Sequence, residues 1–325
     1  MNGIFAPALV ALDWGTSSLR AFLMDEAGRI VAQRSSAHGI VNLPEPGIPG
    51  FERAFEGACG DWLVAHPGLP VVAGGMVGSA QGWREAAYAP CPADVRSLAS
   101  QPAEVVTTKG QRILIAPGVL ATPEGAAPDV IRGEEIQIAG ALVENPGLVA
   151  GSHFVMPGTH SKWVDVSEGR ITGFATYMTG ELFAVLCGHS LLGRLMPPED
   201  APAEEGDAAF ARGIAMARDS RPGDFAHQIF AARTLGLTKQ LAPASLKPFL
   251  SGLVIGHELV SALARAEPGA ALAMIGDGGL CARYAQGLSL LGAPPALQLG
   301  NTAPAGLFHF AIAAGLVARP KETVA

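Results

Sequence analysis

The stretch Ala8-Leu9-Val10-Ala11-Leu12-Asp13-Trp14-Gly15-Thr16-Ser17-Ser18-Leu19-Arg20 decides the fold. A short apolar run ends at an acid, small turn residues follow, and strand-like sequence resumes at Leu19–Met24. Asp25-Glu26-Ala27-Gly28 then marks a turn before a third extended run, Arg29–Gln33. The pattern predicts strand, hairpin, strand, turn, strand. A dinucleotide fingerprint or a Walker loop needs a helix directly after its glycines, and neither GxGxxG nor GxxxxGK[ST] occurs here.

The same device recurs. Phe154-Val155-Met156-Pro157 leads into Gly158-Thr159-His160-Ser161, then Lys162–Val166, then the turn Ser167-Glu168-Gly169-Arg170-Ile171. Gly15-Thr16-x-Ser18 matches Gly158-Thr159-x-Ser161 at 143 residues' distance, and Gly28-Arg29-Ile30 matches Gly169-Arg170-Ile171 at 141. A long-period repeat implies two related α/β halves, each opening with its own hairpin. We place them at residues 1–145 and 146–325.

Small turn residues let backbone N–H groups and hydroxyls approach phosphate oxygens, forming an anion cradle without a helix terminus. Gly15, Thr16, Ser17, Gly158, Thr159, His160 and Ser161 are therefore the expected phosphate-binding residues. Lys162 either reaches the same phosphates or is an exposed strand lysine. Asp13, at the mouth of the first strand, is expected to anchor Mg²⁺ directly or through water. Trp14 is expected to pack at the domain junction. A third element, Ala271–Ile275 followed by Gly276-Asp277-Gly278-Gly279, is a strand entering a helix that runs to Leu291. In company with the hairpins it becomes the expected adenosine site, with Arg283 on the first turns of that helix.

Composition narrows the remaining classes. The chain has 325 residues, 49% hydrophobic and 16% charged, with mean hydropathy +0.30, enough apolar sequence for two cored domains. A net charge of −7 and a pI near 5.6, with no basic stripe, argue against a nucleic-acid partner. No unbroken apolar run approaches the roughly 18 residues of a spanning helix, and no export signal is visible, so no membrane role is expected. Cys59, Cys91, Cys187 and Cys281 are scattered without metal-ligand spacing, which suits a reducing cytoplasm. Pro197–Arg221 reads as a surface connection with short helical pieces, and Phe225–Leu235 and Leu246–Ala264 as helices. Gly252 and Gly256, four apart, suggest close packing beside a nucleotide. The segment after Arg319 reads as a disordered tail. The oligomeric state is left open, a homodimer included.

The chain resembles the actin-like ATPase and sugar kinase superfamily, and within it the 2-dehydro-3-deoxygalactonokinase family. The resemblance is carried by Ala11–Ala21, Gly75-Met76-Val77-Gly78-Ser79-x-x-Gly82-Trp83, Asp129–Gln137, Met156–Val164, Met178–Leu182, His189-Ser190 and Phe249–Leu253. It implies two ribonuclease H-like domains with a nucleotide cleft between them. The implied reaction is ATP- and Mg²⁺-dependent phosphorylation of 2-dehydro-3-deoxy-D-galactonate, a small sugar acid, on its C6 hydroxyl.

Arg132-Gly133-Glu134-Glu135 is similar to the Gly-x-Glu-Glu segment of exopolyphosphatases. By that analogy Glu134 is the first candidate base, Asp13 the second and Glu181 the third. The bland alternative is that Glu134 and Glu135 only favour the start of a helix. Arg20, Ser79, Trp83 and Arg132 are the expected sugar-acid contacts, although Arg132 could instead pair with Glu135. Two rivals keep the fold: a phosphohydrolase using Glu134 to orient water, and a nucleotide-binding sensor without turnover.

Overall fold

The computed structural model describes residues 6–267 and 269–319. The expected tail after Arg319 lies outside them. The chain forms two compact units, one of residues 6–151, Asp165–Phe174 and 301–319, the other of Ser152–Val164, 175–267 and 269–300.

In the first unit the decisive stretch folds as β1 (Pro7–Trp14), β2 (Leu19–Asp25) and β3 (Ile30–Ser36). α1 (Ile48–Ala65) carries the chain to β4 (Val71–Gly74), which pairs parallel with β1. β5 (Tyr88–Pro90), α2 (Val95–Ala99), β6 (Ala103–Val106) and β7 (Arg112–Ile115) follow, then β8 (Gly118–Ala121), β9 (Asp129–Ile131) and α3 (Glu134–Glu144). The main sheet runs β3-β2-β1-β4-β7-β6, and β5-β8-β9 form a small second sheet. α1 buries Phe51, Ala54, Phe55, Ala58, Cys59 and Trp62, the i, i+3, i+4 spacing of one helix face. Emptying the fully buried Phe55 position to Ala would cost about 3–5 kcal/mol through the cavity left behind.

Trp14 lies in this core and not at a junction. Its ring contacts Phe51 at 5.6 Å and Trp83 at 5.8 Å between centroids, and its Nε1 donates to the His38 carbonyl at 2.9 Å. A buried indole needs such a partner, and the turn after β3 supplies it.

The second unit repeats the plan. β10 (Gly151–Met156), β11 (Ser161–Ser167) and β12 (Arg170–Tyr177) form the meander, of which Asp165–Phe174 count with the first unit, followed by α4 (Thr179–His189), α5 (Ala203–Arg218), α6 (Phe225–Gln228), α7 (Ala231–Leu237) and α8 (Leu246–Leu263). β13 (Ala271–Ile275), α9 (Gly278–Leu290) and β14 (Leu297–Leu299) complete it. The sheet order β12-β11-β10-β13-β14 matches β3-β2-β1-β4-β7 of the first unit, with the third, fourth and fifth strands parallel in both. The final helix, α10 (Ala303–Ala313), belongs to the first unit, where it packs on α3 and β1. A single division near residue 145 does not anticipate that return.

Three expectations change. Pro197–Arg221 contains a sixteen-residue amphipathic helix, α5, whose Ala209, Phe210, Gly213, Ile214 and Ala217 are buried. Its polar face and flanking prolines gave it the look of a connection. Gly252 serves contact with α5, since a Cβ there would sit 2.1 Å from the Phe210 carbonyl oxygen. Phe225–Leu235 is also broken into α6 and α7. The segment Pro243–Leu263 is long and apolar enough by length and composition to cross a membrane; here 61% of it is buried, against α5 and its neighbours.

Candidate active site

In the first unit, Asp13 stands opposite Arg20 in the β1–β2 register and beside Gly74 of β4. Directly opposed residues share a sheet face, so Arg20 Nη2 comes within 2.7 Å of Asp13 Oδ2. Asp13 Oδ2 is thus ion-paired, while Arg20 Nε is buried without a hydrogen-bond partner. Burial pushes the Asp13 carboxyl above the usual carboxylate range, and the Arg20 guanidinium opposes the shift. Thr16 and Ser17 at the turn are exposed, and Gly15 N–H donates to the Ser18 carbonyl at 2.9 Å.

The ends of β1 and β4 collect further chemistry. Gly75, after β4, lies against the Trp14 backbone, and Gly133 lies against Gly75. The start of α3 is thereby brought beside the strand that carries Asp13. Glu134 Oε2 accepts the Arg132 N–H at 2.9 Å, and Glu135 Oε2 accepts the Gly133 N–H at 2.7 Å. Both glutamates thus do the helix-start work that the bland reading proposed. Glu135 is wholly buried, and burial, helped by the nearby Glu134 charge, pushes its carboxyl up to about 8.

Arg132 does not hydrogen-bond Glu135. Its Nη2 donates to the Ala86 carbonyl at 2.8 Å and its guanidinium lies 4.3 Å over the Tyr88 ring. Its Nε and Nη1, together with Ser79 Oγ and Glu135 Oε1, are buried with no hydrogen-bond partner. Buried polar atoms ordinarily find partners, so this group is prepared for something the chain does not contain. Trp83 is placed elsewhere: it stacks on Phe51 at 5.7 Å and 14° within the core, supporting the Ser79–Gly82 turn from behind. His38 is a turn residue, its Nδ1 3.1 Å from the Asn42 carbonyl.

In the second unit, Gly158 and Thr159 occupy the hairpin turn, and Thr159 and His160 are exposed. His160 Nε2 contacts Glu181 Oε2 at the start of α4. Lys162 is buried and curls back, its Nζ donating to the His160 carbonyl at 2.8 Å. It is therefore not the exposed lysine of one reading. Ser161 is also buried, and its hydroxyl donates to Glu258 Oε1 at 2.6 Å, so it faces the interior. Asp277 caps α9, its Oδ1 accepting from Gly279 N–H at 3.0 Å and Leu280 N–H at 3.1 Å. Gly276 packs near Pro157 and Cys281, and Gly278 faces open space. Arg283 donates to Asp207 of α5 at 2.6 Å and to Gln286 at 3.0 Å.

Three features escaped the sequence reading. One is Glu258, on whose carboxylate three donors converge; a lone acid on the apolar stripe of a helix was its only signal. A second is the full burial of Glu135 beside Glu134. The third is a backing glycine under each hairpin. A Cβ at Gly39 would sit 2.2 Å from the Thr16 carbonyl oxygen, and one at Gly180 2.4 Å from that of Gly158. These glycines lie 141 residues apart, the same offset as Gly28 and Gly169.

Two sheets of matching order, each opening on a Gly-Thr hairpin, make this a duplicated α/β fold with one partly desolvated carboxylate on its first copy. The 2-keto-3-deoxy-galactonokinase family model matches residues 13–310. A protein named "Probable 2-dehydro-3-deoxygalactonokinase" from Rhizobium meliloti (strain 1021) is 37% identical over 91% of this chain and 95% of its own. The 2-dehydro-3-deoxygalactonokinase of Escherichia coli (strain K12) is 34% identical over 90% and 94%. A solved structure of a candidate 2-dehydro-3-deoxygalactonokinase from Sinorhizobium meliloti superposes with TM-score 0.84 at 33% identity, covering 94% of this chain and 98% of that one. The chain belongs to the 2-keto-3-deoxy-galactonokinase family, and is thus a carbohydrate kinase.

Proposed function

We propose that this kinase transfers the terminal phosphoryl group of ATP to the C6 hydroxyl of 2-dehydro-3-deoxy-D-galactonate. The observation that carries the reading is the gathering of Asp13, Ser79, Arg132 and Glu134 around the ends of β1 and β4, with buried polar atoms left unpartnered. The hairpins support the nucleotide half. Gly15 has no atom nearer than 3.7 Å to an added Cβ and Gly158 none within 4 Å, and neither has positive φ. Among the described residues nothing demands glycine at either turn; the close approach of phosphate oxygens would.

The roles then divide by residue. Gly15, Thr16 and Ser17 bind phosphate from the first hairpin, and Gly158, Thr159 and His160 from the second. Ser161 and Lys162 hold the second hairpin's shape. Gly276–Gly279 flank adenosine, with Asp277 fixing the helix start. Arg132 and Ser79 take the sugar acid's carboxylate through a forked guanidinium contact and a hydroxyl. Arg20 sets the charge at Asp13.

Asp13 would hold Mg²⁺ as a single carboxylate ligand, its side chain desolvated by burial and its charge balanced by Arg20 at 2.7 Å. Among the described residues no group of three or more His, Cys, Asp or Glu gathers, so the remaining ligands would come from phosphate and water. When bound, Mg²⁺ neutralises charge on the transferring phosphoryl group. Glu134 accepts the proton of the C6 hydroxyl as that oxygen bonds to the γ-phosphorus. The bond from γ-phosphorus to the bridging oxygen breaks, and ADP leaves. Positioning dominates such transfers, so the base need not be strong.

The test is ADP release from Mg-ATP without acceptor, with 2-dehydro-3-deoxygalactonate, and with its gluconate epimer. Release confined to the galactonate compound is expected. Equal release with both acids would widen the specificity, equal release in all three would make the chain a hydrolase, and none at all would make it a sensor.

A further inference from the structure

We propose that Glu258 is the positioning residue of the nucleotide site in the second unit: it fastens the phosphate hairpin to the helix that follows the Gly276 junction, and so sets ATP affinity. This rests on the reading that the hairpin at Gly158 and the junction at Gly276 bind the nucleotide.

Glu258 lies on α8 with 2% of its surface exposed. Its Oε1 accepts Ser161 Oγ–H at 2.6 Å and Trp163 Nε1–H at 2.8 Å, and its Oε2 accepts Tyr284 O–H at 2.6 Å. Ser161 and Trp163 begin β11, immediately after the hairpin turn. Tyr284 sits on α9, the helix opened by Gly278 and capped by Asp277. Burial together with Glu258 pushes the Tyr284 phenol up. Thr179 starts α4, where the next residue, Gly180, backs the hairpin. One carboxylate therefore joins the strand after the hairpin turn to the helix after the junction.

Core stability alone does not account for this. A buried carboxylate is expensive, and well-packed apolar side chains in its place are often neutral or stabilising. Satisfied polar networks instead fix one arrangement of the elements they join. Here the joined elements are the ones assigned to phosphate and adenosine. A cradle held in its binding geometry before ATP arrives binds more tightly than one that must be ordered.

Glu258→Ala would leave three donors unpaired in the core and threaten folding, so the test uses Tyr284→Phe and Ser161→Ala, singly and together, on the whole enzyme. ATP affinity is measured by calorimetry, KM for the sugar acid by initial rates, and thermal midpoint alongside. Each single variant should weaken ATP binding about tenfold, with KM for the sugar acid within about twofold of wild type, and the double variant should lose little more than either one, as expected for a shared carboxylate. Unchanged ATP affinity, whatever the thermal midpoint does, or fully additive losses would overturn the proposal. Gly158→Val separates the two levels. If it leaves ATP binding intact, the reading of the hairpin itself is wrong; if it abolishes binding while Tyr284→Phe does nothing, only the role of Glu258 falls.

Discussion

The two hairpins share a Gly-Thr turn and differ in chemistry. Both join neighbouring strands through a Gly-Thr turn with exposed second and third residues, and both rest on a glycine that a methyl group would displace. At the 143-residue offset, however, Asp13 corresponds to Met156 and Arg20 to Trp163. The first hairpin keeps an ion pair at its mouth, and the second has replaced both charges with apolar groups. Trp163 is then available to anchor on Glu258. On the proposed reading a duplicated phosphate cradle divides its work: the first copy would hold the reacting groups and the second would grip the nucleotide.

The largest expected effect tests that division at its charged end. Asp13→Asn keeps the shape of the side chain and removes the charge, and should lower kcat by about 10³-fold or more while the thermal midpoint stays near wild type. Near-normal turnover would remove Asp13 from the metal. Glu134→Gln should cut kcat by about 10²–10⁴-fold with ATP affinity little changed, as loss of a general base does. A defect in binding alone would return Glu134 to the helix-start role it shares with Glu135.

The backing glycines sharpen the comparison further. Gly39→Ala and Gly180→Ala should each lower stability by about 1–3 kcal/mol, the cost of overpacking against backbone. Beyond that shared loss, Gly39→Ala should fall mainly on kcat and Gly180→Ala mainly on ATP affinity. Chemical denaturation with paired kinetics reads both.

One pH effect in the first unit follows from Glu135. The folded-state pKa of Glu135 is raised to about 8, above its unfolded value, so the folded chain holds that proton more tightly. Its contribution to stability is complete below about pH 4.5 and is lost as pH rises through 8. Glu135→Gln should flatten the decline in thermal midpoint between those limits, and an unchanged decline would assign it to other groups. The smallest effect is expected at Arg283. Its exposed pairing with Asp207 is worth no more than about 1 kcal/mol, so Arg283→Ala should change stability and KM for ATP only slightly.

Much of this was legible in the residues. The hairpins are local patterns, as is the strand-to-helix junction at Gly276, and the strand Ala271–Ile275 forms as read. What was not legible depends on contacts made at a distance. Trp14 and Trp83 look like site or junction aromatics until they are seen packed on each other and on Phe51, from the next helix. Ser161 looks like a phosphate ligand until Glu258, 97 residues later, claims its hydroxyl. Helix α5 was hidden by its alanines and acids, since only packing on α8 reveals which face is apolar. The return of α10 to the first unit leaves no local mark at all.

The division of labour is tested most directly by measuring, on the same preparations, single-turnover phosphoryl transfer and ATP affinity for Asp13→Asn and Gly158→Val. The account predicts that Asp13→Asn binds ATP within a few-fold of wild type and does not transfer. Gly158→Val should lose affinity and recover transfer at saturating ATP. If both variants lose affinity and transfer in the same proportion, the two hairpins act as one undivided cradle and the account is contradicted.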